Sequence, residues 1–100
     1  MYTVKVYDDD AQEYIQTHQN ILRLDDAKKL AMRLAKDCAD RRNRELMGMY
    51  GKKFPSEIAI SSDGLFVYVG FGLQEYLATM GEKQSNFMNR IAYQIEIEAG

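Results

Sequence analysis

The amino-terminal stretch alternates between apolar and polar side chains, which is typical of a strand with one buried face. In "YTVKVY" the residues Tyr2, Val4 and Val6 share one face of an extended chain. The polar "DDDAQ" that follows is turn-like, and "EYIQTH" again has strand propensity. We therefore predict a β-hairpin over residues 2–18.

The period then changes from two residues to that of a helix. Apolar residues recur at the three- and four-residue spacing of one helical face, at Ala27, Leu30, Ala31, Leu34 and Cys38. We expect Asp25 or Asp26 to cap the amino end of this helix, where an acid also suits the helix dipole. Gly48 is the expected stop.

The second half of the chain repeats the order of hairpin and helix. Strand alternation flanks the turn-forming pair Asp63 and Gly64, on one side at Ile58 and Ile60 and on the other at Leu65, Val67, Val69 and Phe71. A short helix is predicted from the spacing of Leu73, Tyr76, Leu77 and Met80. A last strand, with one face in water, is predicted from Ile91, Tyr93, Ile95 and Ile97.

These elements predict an α+β fold in the order β-β-α-β-β-α-β, with one antiparallel sheet and with one long and one short helix on one face. Residues 1–100 form a single domain, because no linker or low-complexity tract divides them. The 46% apolar and 28% charged content is that of a globular protein. No secretory leader and no run of about 20 apolar residues is visible, so we expect a cytoplasmic protein without membrane contact.

Candidate catalytic and metal-binding residues are few. A nucleophile–histidine pair would have to join the one histidine, His18, to Cys38 or a serine. Cys38, however, lies on the apolar helix stripe, where a buried, inert thiol is expected. The acidic "DDD" at residues 8–10 lacks the spacing of a calcium loop, and one Cys with one His cannot complete a zinc site. We therefore expect no enzyme, no cofactor and no metal.

Charge is distributed unevenly along a chain whose formal net charge is −2. Residues 28–53 contain nine basic and three acidic residues, a net +6, whereas the flanking segments each carry a net −4. Such a division indicates which parts of the chain would be attracted to, or repelled by, a charged partner.

The carboxyl-terminal part of the basic segment is the predicted partner-binding surface. Arginine, methionine and tyrosine are enriched at the centres of protein interfaces. Either the helix ends near Asp40 or it runs past the sheet, and in both cases these side chains are available. The predicted contact residues are Arg41, Arg42, Arg44, Met47, Met49, Tyr50, Lys52 and Lys53.

A secondary surface is predicted on the outer side of the helix, at Lys29, Arg33 and Lys36, and on the wet face of the sheet, at Phe66 and Tyr68. Opposite charges at four-residue spacing, such as those of Asp25 and Lys29, favour the alternative of a solvated helix face. A loop or a dimer partner covering the two aromatic residues is the alternative for the sheet.

In layout and size, the hairpin followed by "LDDAKKLAMRLA" and "EIAISSDGLFVYVG" resembles the small α+β proteins encoded by phages and mobile elements, some of which are anti-CRISPR inhibitors. The resemblance implies a non-enzymatic inhibitor that binds and blocks a host protein or protein–RNA complex. We expect the chain itself to be a monomer or a homodimer. The alternative is an RNA- or DNA-binding protein that uses the basic helix and the aromatic sheet face.

Overall fold

The computed structural model describes residues 1–51, 56–71 and 91–100. Five strands and one helix are seen in these ranges. In chain order they are β1 (Tyr2–Asp8), β2 (Glu13–Ile21), α1 (Leu24–Tyr50), β3 (Ser56–Ile60), β4 (Phe66–Phe71) and β5 (Ile91–Ala99). The strands form one antiparallel sheet in the order β2-β1-β5-β4-β3. This confirms the α+β class and both predicted hairpins; the predicted short helix over residues 73–80 lies outside the described residues.

The last strand, β5, lies in the centre of the sheet and joins the two hairpins. Its residue Ile95 is aligned with Val6 on one side and with Val67 on the other. All three side chains are buried. Because side chains alternate between the faces of a strand, this register gathers the β-branched residues of three strands on one face.

Helix α1 covers that face with small side chains. Four alanines at four-residue spacing are buried, namely Ala27, Ala31, Ala35 and Ala39, together with Leu34 and Cys38. Side chains of this size let the helix backbone approach the sheet closely, so the larger valines and isoleucines fill the space between them. The helix contacts mainly β1, β4 and β5.

The ends of α1 differ from the prediction at both termini. Arg23 occupies the amino-terminal cap without a side-chain hydrogen bond, and Asp25 and Asp26 lie inside the first turn, where they face the positive end of the helix dipole. The helix also continues through Gly48, because one glycine lowers helix propensity by only about 1 kcal/mol. It ends where Gly51 adopts the left-handed conformation, with φ 68°, and donates its N–H to the carbonyl oxygen of Met47 at 2.9 Å.

Aspartate side chains organise both hairpin turns. In the first turn, the Asp8 carboxylate accepts hydrogen bonds from the backbone N–H groups of Asp10 and Ala11, at 3.0 and 3.1 Å. In the second turn, the Asp63 carboxylate accepts hydrogen bonds from the Ser61 hydroxyl at 2.6 Å and from the backbone N–H of Leu65 at 2.9 Å. These short-range bonds replace backbone pairing where the chain reverses.

The central position of Ile95 gives a first prediction. We expect Ile95→Ala to lower the free energy of unfolding by about 2–5 kcal/mol, because it leaves a cavity between β5, its neighbours and α1. Urea unfolding followed by circular dichroism measures this loss. Thr17→Ala, on the exposed side of an edge strand, is the control and should change stability by less than about 0.5 kcal/mol. Equal effects of the two substitutions would contradict this description of the core.

The turn at Asp63 gives a second prediction. Its pKa lies below the ordinary 3.8, first because the Ser61 hydroxyl donates to the carboxylate and next because the Leu65 N–H does. The carboxylate therefore stabilises the fold above the ordinary pKa, and this contribution is lost as the pH falls through the lower, folded-state value. We expect Asp63→Asn to reduce the difference between the urea midpoints at neutral pH and at about pH 2–3. The control Glu57→Gln, an exposed side chain, should retain the wild-type difference; a D63N protein with an unchanged difference would contradict the assignment.

Candidate functional site

The carboxyl-terminal part of α1 extends beyond the core. Among the described side chains of the helix, Ala39 is the last that is buried. Arg41 and Arg44 are exposed, and the Met47 side chain is 44% exposed. Of the two alternatives for this region, the structure shows a helix that runs past its packed portion. We call the surface formed by Arg41, Arg44 and Met47 the helix-end surface.

Arg42 differs from its neighbours because it is bound within the chain. Its Nη2 lies 2.8 Å from Asp10 Oδ2 in the β1–β2 turn, and its Nη1 lies 3.1 Å from Glu45 Oε2 one turn further along the helix. Arg42 therefore connects α1 to the first hairpin and offers a partner less charge than Arg41 or Arg44. Because Asp10 is 57% exposed, this pair contributes about 1 kcal/mol or less to stability.

The other predicted contact residues lie at the limit of the described structure. Met49 and Tyr50 belong to the last turn of α1, and their side chains are not among those described. Lys52 and Lys53 lie outside the described residues. The helix-end surface is therefore the part of the predicted site that has a described geometry.

The outer side of α1 carries exposed cations at Lys29, Arg33 and Lys36. The four-residue charge spacing favoured ion pairs along this side, such as that of Asp25 with Lys29. Among the described residues, none of these pairs is at salt-bridge distance; the ion pairs there are those of Lys5 and Arg42. Within the described ranges, the charges on this side, like those of Arg41 and Arg44, are therefore exposed and have no carboxylate at salt-bridge distance.

On the face of the sheet opposite α1, Phe66 and Tyr68 stack in parallel, with ring centroids 6.1 Å apart and an interplanar angle of 6°. Both are half-buried, while their neighbours Val67 and Val69 point into the core, as the alternation predicted. The neighbouring position on β5 is Glu96, aligned with Phe66. A carboxylate therefore stands beside the aromatic pair.

The same face contains a polar network that sequence reasoning missed. Lys5 Nζ lies 3.0 Å from Glu98 Oε2 and 5.5 Å from the centroid of the Tyr14 ring. The Tyr14 hydroxyl donates to Glu96 Oε1 at 3.0 Å, and its ring meets Tyr7 edge-on with centroids 5.1 Å apart. Two carboxylates face one lysine here, so this face is acidic. Alternation separates Lys5 and the two glutamates from the buried positions of their strands, but it does not give the strand order that brings them together with Tyr14.

Hydrogen bonds also shift two titrations in this network. The bond from Lys5 to Glu98 raises the lysine pKa above its ordinary 10.5, more than partial burial lowers it. The bond to Glu96 raises the pKa of Tyr14 above 10.0, because an ionised tyrosine would face a carboxylate. Both side chains therefore keep their protons at neutral pH, and the face retains its excess of carboxylates.

The candidate chemical groups are not brought together. The Cys38 side chain is 4% exposed, and burial raises the pKa of its thiol above 9.0, although Arg41 acts in the opposite direction. The ring of His18 pairs with Gln16 Oε1 at 3.0 Å. Within residues 1–51, 56–71 and 91–100, no group of three or more His, Cys, Asp or Glu side chains is arranged to hold a metal ion.

Cys38 gives a third prediction. We expect a disulfide reagent such as DTNB to label Cys38 at least about 100-fold more slowly in the native protein than in the urea-unfolded chain, because the thiol is buried and its pKa is raised. Absorbance of the released thiolate measures the rate. Ala11→Cys, in the exposed first turn of a Cys38→Ala protein, is the fast-labelling control. Native Cys38 reacting as fast as this control would contradict its burial.

No helix within the described part of the chain has both the length and the apolar content that a membrane span requires. Comparisons with protein-family models, with curated proteins and with solved structures give no match to this chain.

Proposed function

We propose that this protein is a non-enzymatic protein-binding module that docks on an acidic surface of its partner through the helix-end surface. The observation that supports this most is the exposure of Arg41, Arg44 and Met47 on a helix that continues beyond its packed portion. A carboxylate-rich partner surface matches two guanidinium groups without fixed counter-charges among the described residues.

The helix also supplies the rigidity that binding requires. Each guanidinium donates two parallel hydrogen bonds to a carboxylate in one plane, and the unbranched Met47 side chain adapts its shape to an apolar neighbour. A preformed helix carries these groups in fixed directions, so little backbone entropy is lost on association. The bridge from Arg42 to Asp10 holds the beginning of this segment against the hairpin, at 2.8 Å.

We propose further that the protein acts as an inhibitor of the anti-CRISPR type. A small chain whose described residues assemble no catalytic group can affect a larger target by occupying a surface that the target needs. In this proposal the target is a host protein or a protein–RNA complex, and the helix-end surface covers an acidic part of it. The resemblance in layout to small phage-encoded inhibitors supports this proposal.

Nucleic-acid binding is the second candidate function. The stacked pair of Phe66 and Tyr68 supports it, because parallel rings on a sheet are typical of surfaces that stack bases. The carboxylates of Glu96 and Glu98 oppose it, because they stand on the same face and repel phosphate. Protein binding is therefore the function that the described charges favour.

The proposed function gives a fourth prediction. We expect the double reversal Arg41→Glu and Arg44→Glu to leave the circular dichroism spectrum unchanged and to lower partner capture at least about tenfold, because each exchanged charge repels the acidic surface. Arg42 is retained because its reversal would set a carboxylate against Asp10. The measurement is affinity capture of the tagged protein from host cells, with bound proteins quantified by mass spectrometry.

The matched control is the double reversal Arg33→Glu and Lys36→Glu, which makes the same charge change on the packed half of the helix. Retained capture by this control and lost capture by R41E/R44E support the helix-end surface. Equal capture by wild type and R41E/R44E would contradict it. Titration with a single-stranded oligonucleotide at two salt concentrations tests the second candidate, for which tight, steeply salt-dependent binding is the supporting result.

A further inference from the structure

The two edges of the sheet are built differently. The pairing of edge strand β2 with β1 shifts register twice, and Asn20 near its end has a φ of 63°. The opposite edge strand, β3, pairs with β4 through five consecutive residues without a shift. Bulges and twists at an edge oppose pairing with another chain, whereas a regular edge permits it. Among the five described strands, β3 is therefore the edge strand whose regular pairing permits a further strand.

The hydrogen-bond phase shows which backbone groups are available at this edge. The N–H of Ser61 donates to the carbonyl oxygen of Phe66 at 2.9 Å, just beyond the β3–β4 ladder. In an antiparallel pair, residues bonded to the neighbour alternate with residues whose backbone groups point away from it. Counting back from Ser61, the backbone N–H and C=O groups of Ala59 point toward β4. Those of Ile58 and Ile60 point to the opposite side of β3, away from the sheet.

The side chains at this edge are apolar and lie on the helix side of the sheet. Ile58 and Ile60 are 36% and 55% exposed, although their partners on β4, Val69 and Val67, are buried beneath α1. Beside them is a cavity of about 350 Å³ between the helix and the sheet. It is lined by Lys28, Lys29, Met32, Ile60, Gly64 and Val67.

The charge at the cavity distinguishes between two candidate occupants of the edge, a second copy of this chain and an extended segment of another protein. Lys28 and Lys29 are exposed, and no carboxylate in the described ranges lies at salt-bridge distance from either. A second copy that paired through β3 by a two-fold axis would place its own Lys28 and Lys29 on the same side of the joined sheet, and so would add further positive charge to that side. A segment with an acidic residue on the helix side meets the opposite charge instead.

We propose that the β3 edge binds an extended segment of a partner protein by antiparallel strand addition. Backbone bonds to Ile58 and Ile60 hold the segment, and its helix-side positions carry two apolar residues beside those isoleucines and an acidic residue beside Lys28 and Lys29. This site differs from the helix-end surface in position and in the backbone pairing it uses, so either one can be present without the other.

A synthetic peptide tests this proposal directly. The probe is the heptapeptide Thr-Glu-Thr-Ile-Thr-Ile-Thr with blocked ends, whose Glu and Ile residues share one face. Antiparallel addition places its two Ile residues opposite Ile60 and Ile58, and its amino-terminal Glu beyond Ile60, on the side of Lys28. We expect saturable binding in isotope-labelled titrations, with amide shifts at Ile58 and Ile60. Lys28→Gln with Lys29→Gln should weaken binding about fivefold at low salt.

Matched substitutions separate backbone pairing from side-chain contact. Ile58→Pro and Ile58→Ala both remove the isoleucine side chain, but only proline removes the outward N–H, which a residue on an edge strand can lose without breaking the ladder. We expect I58P to bind the peptide about tenfold more weakly than I58A. N-methylation of the first peptide Ile, whose N–H faces β3, should abolish binding, whereas N-methylation of the Thr between the two Ile residues should not. This pair of peptides requires no change in the protein.

Three results would overturn the proposal. The first is a peptide that does not bind, or that shifts amides elsewhere on the protein. The second is an equal effect of both N-methylated peptides. The third is a concentration-dependent dimer of the protein alone that I58P dissociates in sedimentation experiments, because a second copy would then be the occupant of this edge.

Discussion

The contact between the alanine stripe of α1 and the β-branched face of the sheet is the interaction on which the remaining structure depends. It buries the helix against β1, β5 and β4, and it joins the two hairpins into one core through Ile95. Small residues on the helix and large ones on the sheet interlock in a way that neither surface achieves alone. The helix direction and the position at which it leaves the core are set by this contact.

Both proposed surfaces follow from the limited area that one helix covers. An α-helix with its side chains is about 10–12 Å wide, whereas five strands at about 4.8 Å spacing extend about 19 Å between the outermost strands. A helix centred on β1, β5 and β4 therefore leaves the β3 edge less covered, as the exposure of Ile58 and Ile60 shows. The stripe of buried residues also ends at Ala39, before the helix does. The exposed edge therefore reflects the width of the helix, and the exposed helix end reflects the length of its buried stripe.

The sequence predicted the local elements better than their arrangement. Alternation identified the strands, and the alanine and leucine spacing identified α1, because these periods are set by each element's own buried face. The predicted helix end at Gly48 was wrong, because the helix ends only where the backbone of Gly51 adopts the left-handed conformation. The bridge from Arg42 to Asp10 joins residues far apart in the chain, and so does the Lys5–Glu98 pair. Such contacts depend on strand order, and no local pattern encodes that order.

The same dependence on strand order explains why the residues of the predicted site differ in their contacts. Helical periodicity past Asp40 indicated arginines without a core to cover them, and Arg41 and Arg44 are exposed as such a pattern implies. The periodicity could not distinguish Arg42 from Arg41 and Arg44, because the counter-charge of Arg42 is Asp10 in a hairpin turn. The open β3 edge was not predicted, because an edge strand and a central strand have similar sequence patterns when each has one face buried.

Amide hydrogen exchange along α1 tests most directly whether the helix leaves the core after Ala39. If it does, the amides from Ala31 to Cys38 exchange only through global unfolding, and those from Arg44 to Gly48 exchange at least about tenfold faster through local opening. Equally slow exchange from Ala31 through Met47 would contradict this division, because the helix end would then be held by packing that leaves no free binding surface.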